Sequence, residues 1–268
     1  MNKSLSVLLF AALFAISCSK SSDTATPEPV KAEPTVLLTK VTNVTPNSQD
    51  NGKVQAQFIY NGKQLVQADI NQQVNGSFSE SHYFIYNAQG QLTNSSITHP
   101  SANANNPLTA TASYSGNTIT NVKFFKVGNV LQSDHTFTYT DGKLTKWYDP
   151  SQVEIVYSYN STGNNNKQVM NEYTAGRPNG YTITTDYLTF DSKHNVTTAL
   201  PIWTYFLASG INWNVDVPGI NNVLTAKSGT SNETYTYEYN SNGYPTKVTM
   251  FSAGSVYRIF TYEYKVVE

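Results

Sequence analysis

The chain has 268 residues, with 17 Lys and Arg against 18 Asp and Glu, and only 13% of its residues are charged. That fraction is about half the usual one, and a net charge of −1 offers nothing to steer the protein toward nucleic acid. Asn, Ser, Thr, Gln and 19 tyrosines take the place of the missing charges, so the surface is polar and nearly uncharged.

The first element is a basic start, Met1 to Ser4, followed by an apolar run from Leu5 to Ile16 and a single cysteine, Cys18. A run this short with a charged flank reads as a secretory signal over residues 1–17 and not as a membrane span. Small residues leading into a cysteine resemble the lipobox of bacterial lipoproteins, in which the cysteine is acylated and becomes the first residue of the mature chain. The resemblance makes Cys18 the lipid-attachment residue and the membrane a partner through that anchor. Ser19 in the next position resembles lipoproteins sent to the outer membrane, at the cell surface or the periplasmic face. With no second cysteine the exported chain has no internal disulfide, so packing and sheet hydrogen bonds must hold it together. Residues 18–34 carry almost no large apolar side chain and read as a flexible tether. Within it, Asp23-Thr24-Ala25 resembles a short O-glycosylation site.

From residue 35 to 268 a single domain repeats one device: an alternating aromatic strand, a turn rich in Asn, Asp and Gly, and a second alternating strand. Its anchors are Tyr60, Tyr86, Tyr114, Tyr139, Tyr159, Phe190 and Tyr239, most of them roughly 20 to 30 residues apart. Asn61-Gly62, Asp141-Gly142 and Asn242-Gly243 supply the positive φ that tight hairpin turns require. Phe137 and Tyr139 point one way while Thr136 and Thr138 point the other; Tyr235, Tyr237 and Tyr239 oppose Thr234, Thr236 and Glu238. Leu65, Leu92, Leu144 and Val196 recur just after the turns, where the anchor needs a packing partner. These patterns predict an all-β antiparallel meander of about seven consecutive hairpins, roughly 14 strands, curled into an open or closed barrel with the aromatic face as its core.

The unit F/Y-x-Y, then N/D-x-x-G and a small apolar residue, resembles the YD repeats of RHS-type proteins. More closely it is similar to a family of uncharacterised Bacteroidota lipoproteins built of such hairpins and described as having a porin-like fold. The repeat is broken between Phe190 and Tyr239 by a hydrophobic insertion, 199–224. Its Pro218 to Val223 resembles the insertion that family carries before its last hairpin. Ile202, Trp203, Phe206 and Leu207, after Pro201, suit a short amphipathic helical turn, a cap over one end of the sheet.

Catalytic motifs are missing. His82, His99, His135 and His194 are scattered without metal-ligand spacing, so no metal or cofactor is expected, and no phosphate loop or nucleophile elbow is present. Asp134 and His135 are sequence neighbours on opposite faces of a strand, and Asp191 with His194 reads as a turn. No enzyme is expected. The first functional reading is a lipid-anchored, non-catalytic binding or interaction module for glycan or protein ligands, presenting Trp147, Tyr148, Trp203, Tyr205 and Trp213 beside neutral amides. The alternative is a structural envelope component or a pore-like barrel, against which the Thr, Ser and Glu face opposite the aromatics counts. A third, glycoside hydrolysis, rests on Glu238 and Glu263, which occupy the same place in two Tyr-Glu-Tyr triplets.

Overall fold

A computed structural model of the chain describes residues 34–72, 75–99, 108–201, 204 and 219–268. The first eight strands are β1 (Thr35–Asn43), β2 (Val54–Asn61), β3 (Gln64–Gln72), β4 (Phe78–Tyr86), β5 (Leu92–Thr98), β6 (Thr109–Ser115), β7 (Thr118–Lys126) and β8 (Val130–Thr140). There follow β9 (Lys143–Asp149), β10 (Val153–Tyr159), β11 (Asn165–Thr174), β12 (Arg177–His194), β13 (Asn221–Ser228), β14 (Ser231–Tyr239), β15 (Pro245–Ser252) and β16 (Ser255–Val267). Every strand pairs antiparallel with its sequence neighbours, and β1 pairs with β16, so the meander closes into a barrel.

The barrel has sixteen strands where seven hairpins account for fourteen, and the difference lies at the chain ends. Six repeat units form hairpins as expected, β2–β3, β4–β5, β6–β7, β8–β9, β10–β11 and β14–β15, and the sixth unit's β12 pairs with β13 across the insertion. An eighth is assembled from the two ends of the domain, with β16 as its first strand and β1 as its second. Tyr262-Glu263-Tyr264 stands where the other units place their aromatic triplets, and Leu38-Thr39-Lys40 stands where β9 places Leu144-Thr145-Lys146. No turn links these strands, so the hairpin signal is absent from the sequence although the pairing, Leu38 with Tyr264 and Lys40 with Glu263, is the same.

Each hairpin carries the same irregularity. Its register slips between the anchor and the residue before it: Ile59/Tyr60, Ile85/Tyr86, Ser113/Tyr114, Thr138/Tyr139, Ser158/Tyr159 and Glu238/Tyr239. One residue of the return strand is left over, which is a β-bulge and bends the strand at the barrel rim. In three hairpins that residue is a threonine whose hydroxyl donates to the carbonyl stranded by the bulge: Thr93 to Ile85 at 3.1 Å, Thr120 to Ser113 at 3.3 Å and Thr145 to Thr138 at 3.2 Å. Thr39 does the same to Glu263 at 3.0 Å in the split hairpin.

Alternation then fixes what each face carries. Inward residues form a large apolar cluster that includes Leu38, Phe58, Leu65, Ile70, Leu92, Val122, Phe137, Met250 and Phe260, all almost wholly buried, and a smaller one of Tyr187, Val223 and Ala226 on β12 and β13. The aromatic face is the core, as its period of two requires. Unit six departs from the pattern. Val196, expected to open a return strand, instead begins a 3-10 turn, Val196–Ala199, capped by the Asn195 side chain accepting from the Thr197 amide at 2.8 Å. Val196, Ala199 and Leu200 join the core and the turn lies against β1, while Ile202, Trp203, Phe206 and Leu207, expected to form the cap, lie outside the described residues. Thr204 donates its amide back to the Pro201 carbonyl at 2.9 Å. Residues 221–224, expected inside the insertion, already belong to β13.

Candidate functional site

The two ends of the barrel differ in chemistry. Even-numbered strands run toward one end and finish at the anchors, which form a rim of inward tyrosines. Between hairpins the ladder stops short of this rim: β3 and β4 are paired only from Gln67 with Tyr83 onward to Gln72 with Phe78. The carbonyl this leaves unpaired on β3 belongs to Leu65, and Tyr86 donates its hydroxyl to it. The device recurs as Tyr60 to Leu38 at 2.9 Å, Tyr159 to Leu144 at 2.8 Å, Tyr237 to Val223 at 2.9 Å and Tyr264 to Pro245 at 2.7 Å. Five hydroxyls thus pin a hairpin to the one before it, while Tyr139 finds no partner among the described residues and the sixth anchor, Phe190, has no hydroxyl. Burial, then the neighbouring tyrosine, pushes these phenols up: Tyr139 and Tyr159 to about 12, with Tyr60, Tyr86 and Tyr237 higher still.

Toward the other end the inward face turns polar. On β4, Glu80 and His82 point inward with Phe84 and Tyr86; His82 Nε2 lies 3.2 Å from Glu80 Oε1, and His99 Nδ1 lies 3.9 Å from Glu80 Oε2. On β8, His135 shares a face with Phe137, and its Nε2 lies 3.2 Å from Oδ2 of Asp149, the last residue of β9. Phe124 and Trp147 wall the His135 ring at centroid distances of 5.1 and 5.7 Å. His82 is 2% exposed, His135 5% and Asp149 2%. Burial raises both carboxyls. For Glu80 the hydrogen bond and charge of His82 outweigh it, and for Asp149 the bonds from His135 and from the Ser151 hydroxyl and amide do, so both end below their ordinary range. His82 Nδ1 and His135 Nδ1 meet no partner among the described residues.

Alternation reveals these residues only when strand parity is combined with register. Asp134 and His135 do face opposite ways: Asp134 receives the Asn121 side chain on the outer wall, while His135 finds its carboxylate fourteen residues on, across the β8–β9 hairpin. Asp191 and His194 do not bond each other. Asp191 accepts from Tyr239, from the Lys193 amide at 2.9 Å and from Asn222, while His194 stacks on Tyr244 at 4.7 Å. Among the described residues no group of three His, Cys, Asp or Glu is arranged to hold a metal ion.

The outer wall carries cross-strand ion pairs. Lys247 meets Glu238 at 2.8 Å, Lys146 meets Glu154 at 2.7 Å, Lys123 meets Asp134 at 3.4 Å, Lys167 meets Asp186 at 4.0 Å, and Lys40 meets Glu263. Glu238 and Glu263 are therefore each held by their own lysine, on strands separated by β15. Of the expected ligand-binding aromatics, Trp147 points into the core and Tyr148 outward, so the two form no common platform. Tyr148 is covered by Lys146, whose Nζ stands 5.5 Å from the ring centroid, and by the edge of Tyr173 at 5.3 Å. Trp203, Tyr205, Trp213, Cys18, the tether and the Asp23-Thr24-Ala25 site lie outside the described residues.

No protein-family model matches the chain, and no curated protein matches it either. Among solved structures it is similar to a porin-like protein from Bacteroides vulgatus ATCC 8482, with 12% identity and a TM-score of 0.47, over 85% of this chain and 99% of that one. It is also similar to a porin-like protein from Bacteroides uniformis ATCC 8492, with 12% identity and a TM-score of 0.42, over 85% of this chain and 96% of that one.

Proposed function

We propose that the chain is a water-facing, non-conducting barrel of the cell envelope, tethered to the outer membrane through Cys18, and that it serves as a structural and interaction scaffold and not as a catalyst. The observation that carries this reading is the polarity of the wall. A strand crossing lipid presents apolar residues outward and a polar lumen inward. Here the outward rows carry Thr136, Thr138, Ser158, Thr236 and five lysine–carboxylate pairs, and the inward rows carry the apolar cluster. A lysine at the bilayer midplane costs about 2–4 kcal/mol, and an exposed ion pair returns at most about 1 kcal/mol, so lipid on this wall is disfavoured several times over. The test is to purify the chain without detergent and measure conductance across planar bilayers. A detergent-free monodisperse protein that adds no conductance, and whose membrane association in cells is lost on Cys18→Ser, agrees with the proposal. A requirement for detergent together with stepwise channel currents refutes it.

A further inference from the structure

We propose that the end of the barrel opposite the tyrosine rim is an acid-operated latch: protonation of Glu80 and Asp149 removes the counter-charge from the buried His82 and His135, and the wall from β4 to β9 opens from that end while the rim stays shut.

The argument rests on which groups face one another. Beside His82, β3 presents Ala68 and Ile70; its Asp69 lies on the other face and accepts from Gln67 Nε2 at 2.8 Å. On the other flank β5 presents Ile97, and His99 follows at its end. Glu80 is thus the anion these elements give to two histidines. Beside His135, β7 presents Val122 and Phe124, with Lys123 on the outer face against Asp134, and β9 presents Trp147 and Asp149. Val153 of β10 lies beside Asp149, and the next inward carboxylate, Glu172 of β11, is one strand further. Lys126, the last residue of β7, falls on the same face of its strand as Val122 and Phe124, and among the described residues further round this end Glu233 of β14 accepts from Tyr235 and Tyr257 and Arg258 of β16 lies opposite Met250. A cation walled by apolar rings such as Phe124 and Trp147, or Phe84, has no compensation but its carboxylate; removing one partner of a buried pair leaves an uncompensated charge. Both carboxyls are held below their ordinary range, so the stability they contribute is present above that range and is lost as pH falls below about 4. Along the rim from β2 to β10 the pins of Tyr60, Tyr86 and Tyr159 are neutral hydroxyl-to-carbonyl bonds, whereas further round Tyr239 donates to the Asp191 carboxylate.

Hydrogen exchange of the purified chain at pH 7 and at about pH 3.5, corrected for intrinsic rates, tests this. The proposal expects protection at residues 80–84, 95–98, 133–136 and 147–149 to be lost at the lower pH while protection at residues 58–61 and 157–160 is kept. The variant E80Q/D149N, which keeps a side-chain oxygen at position 149 to accept from the Ser151 amide, shows the acid pattern already at about pH 5, above the ordinary carboxyl range and where the unaltered chain keeps its protection, and protection at the rim reports whether it has folded. The variant H82Q/H135Q, which forms no cation at either position, loses most of the acid response and decides the question if the first variant does not fold. A uniform loss of protection around the barrel, or an acid response unchanged in H82Q/H135Q, overturns the proposal.

Discussion

Replacing Tyr159 by Phe removes one hydroxyl and nothing else, and the structure sets what that costs. The hydroxyl donates to the Leu144 carbonyl at 2.8 Å, at a point where the ladder has ended and no amide is available to replace it. A neutral hydrogen bond contributes about 1 kcal/mol net, and an acceptor left buried without a partner raises the loss to about 1–3 kcal/mol. For a barrel of this size each kcal/mol lowers Tm by about 2–4 °C, so Tyr159→Phe is expected to lower it by roughly 2–12 °C. Tyr139 supplies the internal control. It is the same anchor one repeat earlier, yet its buried hydroxyl has no partner among the described residues. Removing an unsatisfied buried hydroxyl relieves a desolvation cost, so Tyr139→Phe leaves Tm unchanged or raises it. Differential scanning calorimetry of the two variants measures the contrast. Equal losses refute the reasoning that the hydroxyls act as pins between repeats, because the two rings differ in that bond and little else.

The remaining expectations concern turns, closure and alkali. Gly163→Ala is expected to destabilise more than Gly142→Ala: both sit at positive φ, but a Cβ on Gly163 comes within 2.7 Å of Ile220 Cδ1 while one on Gly142 meets nothing, and chemical denaturation of the pair gives the order. A circular permutant joining Glu268 to Pro34 by a short linker and opening at Gly229–Thr230 is expected to fold with the native circular dichroism spectrum, since Thr35 already pairs with Val267; an unfolded permutant contradicts the split hairpin. The phenols raised by burial make the fold sensitive to alkali. The stability they contribute is complete below the unfolded value of about 10 and is lost as pH rises toward the value of about 12 held by Tyr139 and Tyr159. Absorbance at 295 nm should therefore rise together with loss of the fold, and gradual ionisation of these tyrosines in an intact barrel contradicts the rim packing.

Most of the fold is legible because strand parity is a local property. Phe137 and Tyr139 alternate with Thr136 and Thr138 whatever lies across the sheet, and Asp141-Gly142 marks the reversal between them. What fails is what depends on partners distant in sequence. The eighth hairpin has no turn, and the resemblance of Leu38-Thr39-Lys40 to Leu144-Thr145-Lys146 becomes a signal only once the barrel is known to close. Val196 fits the strand pattern and enters a 3-10 turn because Asn195 caps it and the core across at β1 needs filling. The site suffers more. The pairing of His135 with Asp149 requires the hairpin register as well as the parity of each strand, and Trp147 and Tyr148, adjacent in sequence, are divided between the two faces by the same alternation that exposes the fold.

The bulge, the threonine and the tyrosine form one mechanism. A bulge beside the anchor turns the strand end at the rim and leaves a carbonyl without its ladder partner, and a hydroxyl in the leftover residue satisfies it. Bending the strand ends apart also ends the ladder between hairpins, which exposes the post-turn carbonyl, and the next anchor's hydroxyl reaches it. Where a hydroxyl stands at these positions, the carbonyl freed by curvature is met by a side chain one repeat supplies to itself or to its neighbour. Such a scheme closes on itself only when the last repeat finds a first one. Tyr264 pins β16 back to Pro245, Thr39 satisfies the Glu263 carbonyl, and Tyr60 pins β2 to Leu38. The N-terminal strand therefore supplies the return half of the last repeat, and the chain needs both of its ends to complete the same pattern of bonds that the contiguous hairpins carry.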